Sequence, residues 1–133
     1  MAKHRMLNVQ LIESSKFYAL SNGAQALYVH FNMHADDDGI VDAHLLLRGI
    51  KGAKKYLDEL IDSGYVVRFG VDNLLFIPDW CRHNRLRRDR KTDSEHLDEL
   101  LATVPEAIVR PKGKGGEPIN EDIWPQYDEP TYR

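Results

Sequence analysis

The chain has 133 residues, a formal net charge of −3 and a single cysteine, Cys81. This length suits one ordinary domain, and a hydrophobic content of 42% is enough to bury a core. No apolar run reaches the roughly 18 residues of a membrane helix, and the N-terminal residues lack the apolar stretch of a secretory signal. A lone cysteine excludes an intramolecular disulfide, which is typical of a reducing environment and predicts a cytoplasmic protein. The absence of a membrane helix predicts that it is not bound to membrane.

Residues 21–35 predict an amphipathic helix that buries one face. Its apolar side chains follow one another at steps of three and four, at Ala24, Leu27, Tyr28, Phe31 and Ala35. Ser21 or Asn22 is expected to cap the first turn. A turn of three aspartates, residues 36–38, comes next, and Ile40 with Val41 predicts a very short strand.

Two more helices are predicted in the next stretch of the chain. The first covers residues 43–50, with Asp42 as its N-cap, and the second covers residues 53–63. Gly64 is expected to end the second one in a left-handed conformation. Gly49 and Gly52, which flank Lys51, indicate a tight break between these helices.

From residue 65 the hydrophobic period changes to two, which predicts a β-hairpin. Its strands are expected at 65–69 and 74–77, joined by the turn at 70–73. Trp80 is expected to fold back onto the core, and Cys81 is expected to pack inside it. Helix, short strand, two helices and a hairpin together predict an α+β, mostly helical winged helix-turn-helix over residues 1–81.

The positive charge is concentrated after the hairpin, in residues 82–92, which we call the basic connector. Residues 1–92 carry 14 Lys and Arg against 11 Asp and Glu, whereas residues 93–133 carry 4 against 10. The cations of the connector, opposed only by Asp89, are Arg82, Arg85, Arg87, Arg88, Arg90 and Lys91. This density indicates contact with phosphates, and the alternative is a solvated linker neutralised by the acidic end of the chain.

In a winged helix the third helix is free to enter a major groove, and the wing reaches a flanking groove. Lys51, Lys54 and Lys55 are therefore candidate DNA contacts beside that helix. Arg68 and Asn73 are the candidates in the wing. A solvated face or a protein contact is the alternative for the helix, and a plain turn is the alternative for Asn73 in the wing.

Three stretches of the chain resemble the N-terminal domain of phage replisome-organiser proteins, which are related to DnaD-like primosomal proteins. They are AQALYVHFNMHADDDGIV, GYVVRFGVDNLLFIPDW and an HN-x-L-x-x-DR pattern formed by His83, Asn84, Leu86, Asp89 and Arg90. The resemblance covers about residues 5–92. It implies a winged helix associated with DNA binding in phage replication, in a bacterial host cell. Those organisers usually continue into a larger helical domain that recruits a helicase or its loader.

Beyond the connector, residues 93–103 predict one short helix capped by Asp93 or Ser94, and residues 104–133 predict a flexible acidic tail. Aromatic side chains are spaced among the acids of the tail. Trp124 and Tyr127 are candidate contacts for a partner protein, with docking back on the basic surface and a disordered end as alternatives.

The sequence holds no catalytic constellation or phosphate-binding loop, so no enzyme and no cofactor are predicted. His30 and His34 stand four residues apart, but a catalytic zinc helix needs a glutamate beside the first histidine, and Phe31 is there instead. No metal site is predicted. His83 and Asn84 either contact DNA or pin the connector to the core.

We therefore expect a non-enzymatic protein that binds double-stranded DNA, or single-stranded DNA as a second substrate. One alternative is an adaptor that docks on a replication protein, such as a helicase or its loader, or forms a homo-oligomer. A winged-helix transcriptional regulator is the other alternative, since fold alone does not decide between these uses.

Overall fold

A computed structural model describes residues 4–70, 73–84 and 91–113. Within these residues the chain forms an α+β fold of seven helices and a three-stranded antiparallel sheet, which confirms the predicted fold class at this level. The elements are α1 (Val9–Ile12), α2 (Ser15–Tyr18), α3 (Asn22–His34), β1 (Ile40–Asp42), α4 (His44–Gly49), α5 (Ala53–Asp62), β2 (Val67–Arg68), β3 (Leu74–Phe76), α6 (Trp80–His83) and α7 (Leu97–Thr103). None of these helices is long and apolar enough to cross a membrane.

Helix α3 is the first predicted helix, and all five side chains of its predicted apolar face are buried. The predicted cap is also present, since Ser21 Oγ accepts a hydrogen bond from the Ala24 N–H at 3.2 Å. Tyr28 of α3 meets Phe17 and Tyr65 edge to face, with ring centroids 5.4–5.5 Å apart. Aromatic pairs of this geometry contribute about 0.5–1.5 kcal/mol each beyond the area that they bury. Helix α3 is therefore the centre of the larger hydrophobic core.

Helices α4 and α5 correspond to the second and third predicted helices, and α5 packs against α3. The predicted N-cap of α4 differs from the structure. Ala43 occupies the N-cap and no side chain caps the helix, while Asp42 Oδ1 accepts from the His44 N–H at 3.3 Å. After α5, Gly64 has a φ of 82°, the left-handed conformation that was predicted there.

The predicted hairpin is present, and β1 completes it as a sheet. Val67 of β2 and Ile40 of β1 both pair with Phe76 of β3, so the strand order is β1-β3-β2. Successive side chains of a strand point to opposite faces. Leu75 faces the larger core, and its neighbours Leu74 and Phe76 face a second hydrophobic core. Because both faces are covered, β3 is apolar at every position.

The second core contains a part of the chain that was predicted to be a flexible tail. Residues 104–113 lie on the face of the sheet that is turned away from the larger core. Ala107 and Val109 of this stretch, together with Leu97 and Leu100 of α7, pack there against Phe69, Leu74 and Phe76. The prolines and glycines of this stretch indicated a linker. Its apolar run at 107–109 is nevertheless buried: Ala107 and Val109 cover the sheet, and Ile108 packs in the larger core. The folded unit therefore extends beyond residue 81, through residue 110.

Helix α7 is shorter than predicted. It begins at Leu97 with His96 as its N-cap, and neither Asp93 nor Ser94 caps it. Ser94 instead accepts a hydrogen bond from the His96 N–H at 3.1 Å, and Asp93 has a different role that is described below. The residues just before α7 are therefore used to fix the connector, not to start a helix.

Candidate nucleic-acid interface

Three of the predicted DNA contacts lie at the start of α5. Lys54 and Lys55 are in its first turn, Lys51 is in the turn before it, and all three are exposed. The other side of α5 is buried against α3. No side chain caps the first turn of α5, whose N-cap is Gly52, so its backbone N–H groups add positive potential at the same end. This end of α5 offers ammonium groups and backbone donors to an anion.

The acidic residues of α5 have two different environments. Glu59 accepts hydrogen bonds from the Ser21 Oγ at 2.6 Å and the Ser21 N–H at 2.7 Å, and these bonds hold the pKa of its carboxyl below the usual range. Glu59 thus joins α5 to the start of α3. Asp58 is exposed about one turn from the lysines, and Asp62 is exposed at the last residue of α5.

In the hairpin, Arg68 is exposed on the edge strand β2. Asn73 is half-buried, and its carbonyl accepts a hydrogen bond from the Ala43 N–H at 3.0 Å, which ties the hairpin to the start of α4. This contact fits the plain turn that was the alternative for Asn73. Residues 71 and 72, at the tip of the hairpin, lie outside the described residues.

The N-terminal end of the basic connector is fixed by His83 and Asn84. His83 Nδ1 accepts a hydrogen bond from the Asn8 N–H at 2.8 Å, and its Nε2 lies 2.7 Å from the Tyr28 hydroxyl. Asn84 Oδ1 accepts from the Met6 N–H at 2.9 Å. Both side chains are buried, so they pin the connector to the core, which was one of the two roles left open for them.

The buried environment of His83 determines its charge. Burial, together with the positive charge of Arg82, lowers the pKa of His83 to about 4. Because Nδ1 accepts from Asn8, the neutral ring holds its proton on Nε2, facing the Tyr28 hydroxyl. This end of the connector is therefore held by neutral hydrogen bonds at ordinary pH.

The C-terminal end of the connector is held by charge, and here the structure departs from the predicted site. Lys91 Nζ lies 2.9 Å from Asp38 Oδ1 and 2.7 Å from Asp93 Oδ1, and its side chain has no exposed surface. Burial alone would lower the pKa of Lys91, but the two carboxylates together raise it, so the ammonium stays charged. Lys91 was a predicted phosphate contact, and its charge is instead used inside the fold.

The turn of three aspartates explains how Lys91 is held. Asp36 Oδ1 accepts from the Asp38 and Ile40 N–H groups and shapes the turn, while Asp37 accepts from the Arg5 guanidinium and from the Thr92 N–H. Asp38 Oδ2 accepts from the Ser94 N–H at 2.8 Å. Asp36 thus shapes the turn, and Asp37 and Asp38 join the N-terminal segment and residues 91–94 to it.

Sequence reasoning missed one important cation, Arg110. It is buried, and its guanidinium donates to the Asn84 carbonyl at 2.5 Å and contacts Cys81 Sγ at 3.4 Å. Cys81 is itself buried and donates to the Ile108 carbonyl, so it packs as predicted. The apolar residues just before Arg110 were the available signal that this arginine enters the core.

The remaining predicted contacts are the arginines of the connector and the two aromatic residues near the C-terminal end of the sequence. Arg82 is half-buried on α6. Arg85, Arg87, Arg88 and Arg90 lie outside the described residues, as do Trp124 and Tyr127. Among residues 4–70, 73–84 and 91–113, no group of histidine, cysteine and acidic side chains is placed to hold a metal ion, and His30 and His34 are exposed on α3.

Comparison of the chain with protein-family models, with curated proteins and with solved structures finds no match in any of the three.

Proposed function

We propose that this protein is a non-enzymatic winged-helix DNA-binding protein of the phage replisome-organiser type. It binds duplex DNA through the arginines of the basic connector, with the lysines at the start of α5 as a second contact. Arg82, Arg85, Arg87, Arg88 and Arg90 supply the phosphate affinity, and Lys51, Lys54, Lys55 and Arg68 complete the proposed set of DNA contacts. Lys91 is left out of the footprint because its ammonium is buried.

The order of elements supports the winged-helix part of this proposal. Helix α3, strand β1, helices α4 and α5, and the β2–β3 hairpin follow one another in the order expected for that fold. In such a fold the helix before the hairpin is the one available to DNA. Helix α5 fits this role, since its outer face is exposed, its first turn holds Lys54 and Lys55, and Lys51 lies in the turn before it.

The observation that carries the proposal is the anchoring of the basic connector at both of its ends. Residues 85–90 contain four arginines against Asp89 alone. His83 and Asn84 fix the chain immediately before them, and Lys91 and Thr92 fix it immediately after. A segment tethered at both ends loses less conformational freedom on binding than a free tail does. The two anchors therefore fix the points at which the segment with these cations leaves and rejoins the described fold.

The test is fluorescence anisotropy of a labelled random duplex, and of a single strand of equal length, at several salt concentrations. We expect binding to weaken steeply with salt. Replacing Arg87 and Arg88 by alanine should weaken it for all sequences and lower the slope of log affinity against log salt by about one unit per lost phosphate contact. Lys16 and Arg48 are exposed and do not belong to the proposed set of DNA contacts, so K16A/R48A is the control with the same change in charge.

If R87A/R88A has the same affinity and salt slope as K16A/R48A, the connector is excluded as the DNA footprint. Absence of binding by the wild-type chain at low salt would exclude the proposed function as a whole.

A further inference from the structure

Helix α4 carries the most exposed large apolar side chain of the described residues. Leu45 is 76% exposed, and none of the residues of α4 is fully buried. Leu46 and Ile50, on the same helix, are half-buried and pack against the larger core. Helix α4 therefore packs against the core on one side only. Leu45 projects into solvent next to the half-buried Leu46.

Leu45 lines an open groove, which we call the α4 groove. Its volume is about 1340 Å³, and its walls are the end of α3, helix α4, the segment at 92–96 and the N-terminal segment at 4–6. Pockets that enclose a small molecule usually measure about 300–1,000 Å³. An open groove larger than this, with Leu45, Leu46, Ile50 and the half-exposed Met6 along it, has the size and apolar character that suit a peptide.

The charged groups of the α4 groove define which peptide it fits. Five carboxylates line the groove, against the single guanidinium of Arg5, which already pairs with Asp37. Within the described part of the chain, neither Asp42 nor Glu95 forms an ion pair with Lys or Arg. Five of the six histidines, His4, His30, His34, His44 and His96, are also on the walls and add hydrogen-bonding groups. The acidic rim attracts cations and repels nucleic acid.

We propose that the α4 groove binds a basic amphipathic segment of a partner protein. The apolar side chains of that segment cover Leu45 and its neighbours, and its Lys or Arg side chains pair with Asp42 and Glu95. The acidic end of this chain does not suit the groove, because residues 114–133 carry five Asp and Glu against two Lys and Arg. This inference goes beyond DNA binding and gives the adaptor alternative a specific surface.

The experiment uses the full chain and two synthetic labelled 14-residue peptides. One has leucine at helical spacing with lysine at the other positions, and the second has glutamate in place of lysine. Fluorescence anisotropy should show saturable binding of the lysine peptide only. Leu45→Ser should weaken it about tenfold, as the loss of an apolar anchor does. Asp42→Asn with Glu95→Gln should weaken it and reduce its dependence on salt.

Matched controls separate the groove from the general charge of the protein. Val9 is 61% exposed and lies outside the groove, so Val9→Ser controls for Leu45→Ser. D58N/D62N removes two exposed carboxylates of α5 and controls for the two removed from the groove. We expect both controls, and the R87A/R88A variant, to bind the peptide as the wild type does. If R87A/R88A binds the peptide as the wild type does, peptide binding does not depend on DNA binding.

Three results would overturn the proposal. The first is equal binding of the lysine and glutamate peptides. The second is unchanged binding by Leu45→Ser, which would put the peptide elsewhere, such as on the acidic end of the chain. The third is sedimentation showing self-association that Leu45→Ser abolishes, without peptide binding, which would make a second copy of this chain the occupant.

Discussion

The two ends of the basic connector are fixed by different chemistry. At the N-terminal end, His83 and Asn84 are neutral, and each accepts one backbone N–H from the segment at 6–8. At the C-terminal end, the charged Lys91 lies between Asp38 and Asp93. A satisfied neutral hydrogen bond is inexpensive to bury, whereas a buried charge is tolerated only while its partner remains. We therefore expect the C-terminal end to be more sensitive to mutation and the N-terminal end to be more sensitive to pH.

The largest effect is expected when the charged end is broken. Lys91→Met leaves the buried carboxylate of Asp38 without its cation, so the free energy of unfolding should fall by about 3–5 kcal/mol. Urea unfolding, followed by tryptophan fluorescence, measures this loss. Lys112→Met is the matched control, because Lys112 forms an exposed pair with Asp98 at 3.5 Å and such pairs contribute about 0–1 kcal/mol. Equal losses from the two variants would contradict a buried ion pair at Lys91.

The next effect concerns pH at the neutral end. The pKa of His83 is lowered to about 4 in the folded chain, so the unfolded chain takes up this proton from about pH 6.5 downward while the folded chain does not. The contribution of His83 to stability is thus fully present above about pH 6.5 and is lost as the pH falls toward 4. Its total size is up to about 3 kcal/mol.

Urea unfolding at pH 7.5, 6 and 5 tests this expectation. His83→Asn keeps an acceptor for the Asn8 N–H but does not titrate. At pH 7.5 it should be less stable than the wild type, because the buried imidazole is lost. On acidification it should lose less stability than the wild type, because its unfolded chain takes up no proton at this position. The variant is needed because burial raises the pKa of Asp38, which acts in the opposite sense: the folded chain binds that proton more readily. Parallel pH profiles for the wild type and His83→Asn would show that His83 is not the sensitive group.

The same comparison explains what the sequence predicted and what it did not. The buried face of α3 and the β2–β3 hairpin were predictable because their periodicity is local. The charge of Lys91 was equally visible, but its use depends on Asp38, which is distant in sequence, and nothing in a run of cations shows which member meets such a partner. The packing of residues 104–113 was missed for a related reason: Ala107 and Val109 are buried because they cover one face of the sheet, and nothing in their own stretch of sequence shows that face.

A smaller effect tests whether the anchors serve DNA binding. Asn84→Ala removes the acceptor for the Met6 N–H and loosens the N-terminal end of the connector without removing a cation. We expect duplex affinity to fall about two- to tenfold, through the extra cost of ordering the connector, with an unchanged salt slope. Asn22→Ala, at an exposed position of α3, is the control. A reduced slope for Asn84→Ala would mean that Asn84 itself positions phosphate contacts.

The smallest effect separates charges used by the fold from charges that face a ligand. Asp58 is exposed about one turn from the lysines and Asp62 is exposed at the last residue of α5, whereas the carboxylate of Glu59 is bonded to Ser21. Removing a negative charge near the phosphates should raise affinity, so D58N/D62N should bind duplex DNA about two- to threefold more tightly at low salt. Glu59→Gln should give a smaller gain, because the carboxylate of Glu59 is held toward Ser21. If Glu59→Gln strengthens binding as much as D58N/D62N does, all three carboxylates face the DNA and the outer face of α5 is wider than its hydrogen bonds indicate.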